Sequence, residues 1–325
     1  MSTFRTFLAV AWTLACGAHA QDASHGQAPT QASQTDATQI SVLQPGQDPQ
    51  PVRYRFEQGA TAHLRIVLEV ESHVDMGFDQ AGGPHPTLEY ILAIEPVAVS
   101  EDGADIRATI AYAGVRDRKG VEPALRNAMG EQLAAFRGAA LAFAMSTTGQ
   151  ITDARMEGWG SSPQQLPGLE VQLAEALQAA FPMLPADPIG AGGAWTVVQP
   201  RGAKGIAMQS DTHHRLVSTL DDGRLQIESA IEFSAEPQEL DIDGMPPGAR
   251  ASLDSVSGAG AGQTFVALGS LAAEATMTQS TTISIKILDG GQQMDMGQMM
   301  LVKTIVQPID EDQIPRASAA TARVR

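Results

Sequence analysis

The densest run of soft ligand atoms in the chain is Met294-Asp295-Met296-Gly297-Gln298-Met299-Met300. Thioether sulfurs suit Cu(I). On a strand, Met294, Met296 and Met300 share one face, because side chains alternate with period two. These three are the chain's metal candidates. No His or Cys stands near them, and methionine is also a pliable filler of apolar space. Their expected role is therefore core packing.

Other reactive types are scattered. His73-Val74-Asp75 falls at a strand end and His85 follows a Gly-Gly-Pro turn. His213 and His214 are strand neighbours and point to opposite faces, so they cannot clamp one ion together. Glu239-Leu240-Asp241-Ile242-Asp243-Gly244 spaces three carboxylates as a calcium loop does. The twelfth position, which needs a bidentate Glu, is Arg250, and Pro246-Pro247 interrupts the loop. An acidic turn is the expectation. Ser257-Gly258-Ala259-Gly260-Ala261-Gly262 imitates a phosphate loop but lacks the Lys-Ser/Thr ending, and Thr264-Phe265-Val266 reads as strand rather than helix. It is expected to be a mobile surface loop. There is no G-x-S-x-G elbow and no H-E-x-x-H pair. No residue is assigned a catalytic or cofactor-binding role, and no cofactor is expected.

The elements that would carry these residues are mostly strands. Leu64, Ile66, Leu68 and Val70 alternate with Arg65, Val67, Glu69 and Glu71. Similar alternation recurs at 88–94, 106–112, 225–233 and 283–287. Such patterns put one face on a core and the other in water, as in antiparallel sheet. Gly103, Gly223 and Gly290-Gly291 punctuate the joints as hairpin turns require. Two stretches instead have helical spacing, at 123–136 and 167–181, the second stopping before Pro182 and Pro185. The expected fold is α+β: a curved antiparallel sheet or half-barrel of about ten strands with two helices, spanning 51–310. The Pro/Gly stretch at 182–195 is a candidate pseudo-repeat boundary.

The ends of the chain speak of compartment. Arg5, the apolar run 7–16 and Ala18-His19-Ala20 make a secretory signal over 1–20, cleaved after Ala20. The alternative is lipidation of Cys16, the one cysteine of the chain. The run is too short to span a bilayer, which takes about 20 apolar residues, and no transmembrane span is expected. Residues 21–50, rich in Gln, Ala, Thr and Ser, read as a flexible linker, and 311–325 as a disordered tail. The formal charge is −16, or −17 once Arg5 is removed. Such a surface repels phosphate backbones, which excludes nucleic acid as a partner.

A long antiparallel sheet with inserted helices behind a signal peptide resembles, in organisation over 51–308, the LolA and LolB type of envelope carrier. The resemblance implies an apolar cavity between sheet and helices that takes acyl chains. It carries over no individual residue. The expectation is an exported, non-enzymatic protein of the periplasm, or of the envelope if Cys16 is lipidated, binding an apolar small molecule or lipid. The alternatives are a module docking to an envelope protein, a hydrolase built from a Ser or Asp beside a His, and copper binding through the methionines. Intact-mass spectrometry of the mature protein should report a chain starting at Gln21 with no thiol. A diacylglyceryl increment on a chain starting at Cys16 would overturn simple cleavage.

Overall fold

The computed structural model describes residues 38–76, 80–158, 169–203, 206–240, 248–289 and 292–315. Cys16, Ala20 and the whole signal segment lie outside the described residues, as do 21–37 and 316–325.

The chain opens with β1 (Gln39–Gln44), β2 (Gln47–Gln50), β3 (Ala62–Asp75), β4 (Gln80–Pro84), β5 (Thr87–Val99) and β6 (Gly103–Arg116). Helix α1 (Pro123–Ala134) leads to β7 (Ala140–Ser146) and β8 (Ile151–Glu157), and α2 (Leu169–Ala180) follows. Then come β9 (Ile189–Ala191), β10 (Ala194–Ala203), β11 (Ile206–Thr219), β12 (Leu225–Ala235) and β13 (Gln238–Leu240). The last three strands are long: β14 (Arg250–Val266), β15 (Ala273–Asp289) and β16 (Gln292–Pro308). A 3-10 turn at Glu311–Gln313, closed by a capping box with Asp310, corrects the start of the expected tail.

Fourteen strands form one antiparallel sheet in the order β1-β10-β11-β12-β14-β15-β16-β3-β5-β6-β7-β8, with β13 and β4 attached to β14 and β3. Among the described residues the sheet does not close, and 63% of them are strand. This overturns the α+β half-barrel of about ten strands: the fold is largely β. The two helices lie where their spacing put them, but each has only twelve residues. The missed strands lacked sustained apolar alternation. β1 and β2 are Gln-rich, β4 is QAGGP, and the middle of β14 is a glycine repeat.

The linker expected through residue 50 is corrected by β1 and β2. Val42 pairs with Trp195 on β10, and Ile40 with Val197, so two apolar residues among polar ones suffice to seat an edge strand. The other strand, β2, pairs with β9 in a separate two-stranded sheet. The segment 182–195 separates two consecutive meanders, β3–β8 and β10–β16, which join edge to edge where β16 pairs with β3.

Pairing registers align side chains into rungs across the inner face. One rung runs Trp195, His214, Ser229, Gly262, Met277. The next runs Val197, Thr212, Ile231, Gly260, Gln279. Towards α2 the face is apolar, with Leu216, Ile227, Val266, Ala275 and Val306 buried in the larger core cluster. At the far end Leu253, Ile283, Ile285, Ile287 and Met296 form a second cluster. Between them lies a waist of Ser, Thr, Gln and Gly. The outer face carries Arg215, Glu228, Glu232 and Glu274, all exposed.

Gly258, Gly260 and Gly262 occupy the inner face of β14, and the expected surface loop is thereby corrected to a central strand. A Cβ on Gly262 would lie 2.5 Å from the Thr276 carbonyl, and one on Gly260 would lie 2.8 Å from both Gln279 Cγ and Ile231 Cγ2. Glycine here lets neighbouring backbone and side chains close over β14, the use expected where a sheet bends tightly. Gly262→Ala should therefore cost about 1–3 kcal/mol of overpacking strain. Ala261→Ser, on the exposed face, should stay within about 0.5 kcal/mol. Urea unfolding followed by circular dichroism checks both. Equal midpoints for the two variants would contradict the close approach.

Candidate functional site

Strands β8 and β10 lie near opposite ends of the sheet order, yet two consecutive residues link them. The Leu184 N–H donates to the Thr148 carbonyl in the β7–β8 turn at 2.8 Å. Trp195 on β10 donates its indole N–H to the Met183 carbonyl at 2.7 Å. The Tyr54 hydroxyl donates to the Pro182 carbonyl at 3.0 Å, and its ring meets Phe181 edge-on at 6.1 Å. Arg53 adds a bond from Nη1 to the Pro185 carbonyl at 2.8 Å. The sheet thus curls until its ends are bridged by the connector 181–185. Prolines suit this role, because they offer carbonyls without an N–H that needs a partner.

Helix α2 lies over the inner face beside this bridge. Its apolar stripe of Leu169, Leu173, Ala176, Leu177 and Ala180 is buried. The Thr264 hydroxyl donates to the Ala179 carbonyl at 2.9 Å, and Gln178 Nε2 donates to the Gly149 and Phe181 carbonyls at 3.0 and 2.7 Å. These bonds satisfy part of the helix end that would otherwise lack partners.

A small cleft, open on one side, lies between α2 and the sheet, with a cavity volume of about 60 Å³. Met183, Val197, Ile231 and Met277 supply apolar walls, and Glu175, Arg201, His214, Ser229 and Gln279 supply polar ones. Arg201 Nη1 lies 2.7 Å from Glu175 Oε1 on the helix, and its Nε donates to Ser210 Oγ at 3.1 Å. His214 stacks on Trp195 with centroids 5.1 Å apart and shares a 2.8 Å hydrogen bond between Nδ1 and Ser229 Oγ. Burial, with a smaller contribution from neighbouring His213, pushes the His214 pKa down to about 3. The imidazole is neutral at physiological pH, which suits a side chain buried beneath a helix.

A second Ser–His contact lies on the β3–β4–β5 edge. β4 and β5 pair with the same edge of β3, and the register gains one residue between Pro84 and Leu88. That bulge turns His85 Nε2 to within 2.6 Å of Ser72 Oγ. Arg118 clamps the bulge by donating to the Val70 and His85 carbonyls and pairing with Glu71 at 2.6 Å. Desolvation first, then the Arg118 charge, lower the His85 pKa.

The methionine candidates do share the inner face, since Met294, Met296 and Met300 pair with Ile287, Ile285 and Thr281. They do not converge. At about 3.3 Å per residue, Met294 and Met300 stand ~20 Å apart along β16, with Gln298 between Met296 and Met300. Met296 packs in the far apolar cluster with Met294 against it. Among the described residues no group of three or more His, Cys, Asp or Glu is placed to hold a metal. His73 points outward opposite Met299. Asp241, Asp243 and Gly244 lie outside the described residues. The polar strand residues that line the cleft, Thr212, His214, Ser229 and Gln279, carry no motif. Only their period-two position, with a polar residue on an otherwise apolar face, hints at them.

No protein-family model and no curated protein sequence matches the chain. Among solved structures, an outer membrane protein of Vibrio cholerae, OmpT folded in vitro and in trimer form, is similar over 77% of this chain and 100% of that one. The identity is 9% and the TM-score 0.18. A loop L8 deletion mutant of the same protein gives 7% and 0.17 over the same shares. At these scores neither a shared fold nor a shared role follows. Among the described residues no helix is long and apolar enough to cross a membrane.

Because the folded pKa of His214 lies below its ordinary value near 6.5, its contribution to stability is complete above that pH. It is lost as pH falls toward 3, at about 1.4 kcal/mol per unit, since only the unfolded chain takes up the proton. His214→Gln should therefore lose about 2 kcal/mol less than wild type between pH 7 and 5. Urea midpoints measured across that range check this. Parallel profiles would show that the ring is not buried neutral.

Proposed function

We propose that this is an exported, non-enzymatic envelope protein that binds an apolar or amphipathic molecule, such as a lipid, in the cleft between α2 and the sheet. The observation that carries the reading is the cleft itself. It places two methionines, Ile231 and Val197 beside hydrogen-bonding groups under a helix, on a face with buried apolar clusters at both ends. Ligand sites combine apolar walls with a few placed polar groups, and with a cavity of about 60 Å³ the molecule would lie largely in the open mouth of the cleft.

The charged outer face bears on how the protein meets a membrane. Arg or Lys facing lipid at mid-bilayer costs about 2–4 kcal/mol each. A sheet with Arg215, Glu228, Glu232 and Glu274 turned outward is suited to water on that side. The hydrolase reading is weaker. Ser229 and His214 are within bonding distance in the cleft, but an imidazole with a pKa near 3 is a poor base. Docking to an envelope partner is the second reading, and Met299 and Leu301 favour it, being exposed on the outer side of β16.

The test is extraction of the natively purified protein with organic solvent, followed by mass spectrometry of the lipid fraction, together with binding of a fluorescent acyl probe. Met277→Trp should fill the cleft and weaken probe binding at least tenfold, at a cost of about 1–3 kcal/mol in the urea midpoint and with the circular dichroism of the folded protein retained. Absence of co-purified lipid, with probe binding indifferent to Met277→Trp, would sink the proposal.

A further inference from the structure

The far end of the inner face, away from α2, is rich in thioethers. Met76, Met208, Met294 and Met296 pack in or against one small apolar cluster there. Met300 stands too far along β16 to join Met294 and Met296, but the neighbouring strand supplies a third sulfur. The last pairs between β3 and β16 are Val74 with Gln298 and Asp75 with Gly297. Continued by one residue, that register sets Met76 opposite Met296, and parity puts it on the inner face with Val74. Directly opposed side chains on antiparallel strands have Cβ atoms about 4.5–5.5 Å apart, and diagonal neighbours about 7–8 Å. Met76 therefore faces Met296 directly and Met294 on the diagonal. A thioether on three rotatable bonds has the reach to close both gaps on one point.

Packing alone does not ask for methionine here. On β15 the residues opposite Met296 and Met294 are Ile285 and Ile287, and β-branched side chains suit a pleated surface better. Met296 is buried, whereas Met76 and Met294 are half-buried, so an ion can reach the sulfurs from the end of the sheet. The flanking carboxylates of Asp75 and Asp295 are exposed and fall on the opposite face by the same parity. Neutral sulfurs in apolar surroundings suit a soft ion of single charge, whereas hard divalent ions need oxygen ligands. We infer that Met76, Met294 and Met296 form a three-sulfur site for a soft monovalent cation of the Cu(I) class. The net charge of −16 favours the approach of any cation. The site lies at the end of the inner face opposite the cleft and is independent of what the cleft binds.

The experiment titrates the mature protein with Ag(I), a redox-inert ion of the same charge and softness, and with Cu(I) under ascorbate without oxygen. Native mass spectrometry should report one ion per chain. In protein labelled with carbon-13 at the methionine methyls, the signals of Met76, Met294 and Met296 should shift. Leucine conserves the volume of methionine, so Met76→Leu and Met296→Leu keep the fold, which circular dichroism verifies. Each should weaken binding at least about tenfold, because even residues behind the ligands of a metal site cost that much. Met300→Leu, on the same face but ~13 Å further along β16 than Met296, should leave the affinity unchanged. Mg(II) should shift none of the three signals. No Ag(I) or Cu(I) bound at micromolar concentration would overturn the inference. So would binding that Met300→Leu weakens as much as Met296→Leu, or that moves other methionine signals instead.

Discussion

A sheet of this breadth has two edges and one oily face, and all three must be covered or curled away from water. The connector 181–185 does much of this. Its carbonyls at Pro182 and Met183 accept from Tyr54 and Trp195, two of the most deeply buried side chains in the protein. Its Leu184 N–H reaches the opposite end of the sheet at Thr148. Each bond alone is worth about 1 kcal/mol net, but leaving such a buried group unpaired costs about 1–3 kcal/mol. The bridge is thus defined by what its absence would leave exposed. Once it is in place, α2 has a surface to lie on and the cleft has a wall.

The inner face owes its character to a conflict between packing and curvature. The apolar rungs at either end pack as ordinary core. At the waist, β14 has glycines where Cβ atoms would meet carbonyls and side chains of β15 and β12. Smaller residues there mean less apolar area to bury and more room for polar neighbours such as Gln279 and Thr281. The change from oil to polar groups along one face is therefore tied to the bend, and it gives the cleft its mixed lining.

Strands with alternating residues were legible, as were both helices. Leu225, Ile227 and Ile231 face the core as their spacing requires, and Leu173 and Leu177 are on the buried side of α2. Elements held by a partner were not legible. β1 has three apolar residues, of which Leu43 is exposed, and depends on β10 for its pairing. The glycine repeat looks like a loop locally and is a strand only because β12 and β15 flank it. For the methionines, a shared face was readable from parity alone. Whether three sulfurs meet depends on distance along the strand, and they do not.

Read alone, the residues establish antiparallel two-faced strands and two short helices, because local periodicity reflects which side chains will be buried. They pointed to an α+β half-barrel of about ten strands, and the largely β class emerged only with the strands that partners hold in place. They also establish an acidic chain, with a formal net charge of −16. Tertiary structure alone decided that the two meanders join through β16 and β3, and that the sheet's ends are tied through a proline-rich connector. It also brought His214, Ser229, Arg201 and Glu175 around one cleft. Those are contacts between residues far apart in the chain, set by register and by long-range hydrogen bonds, and no local pattern encodes them.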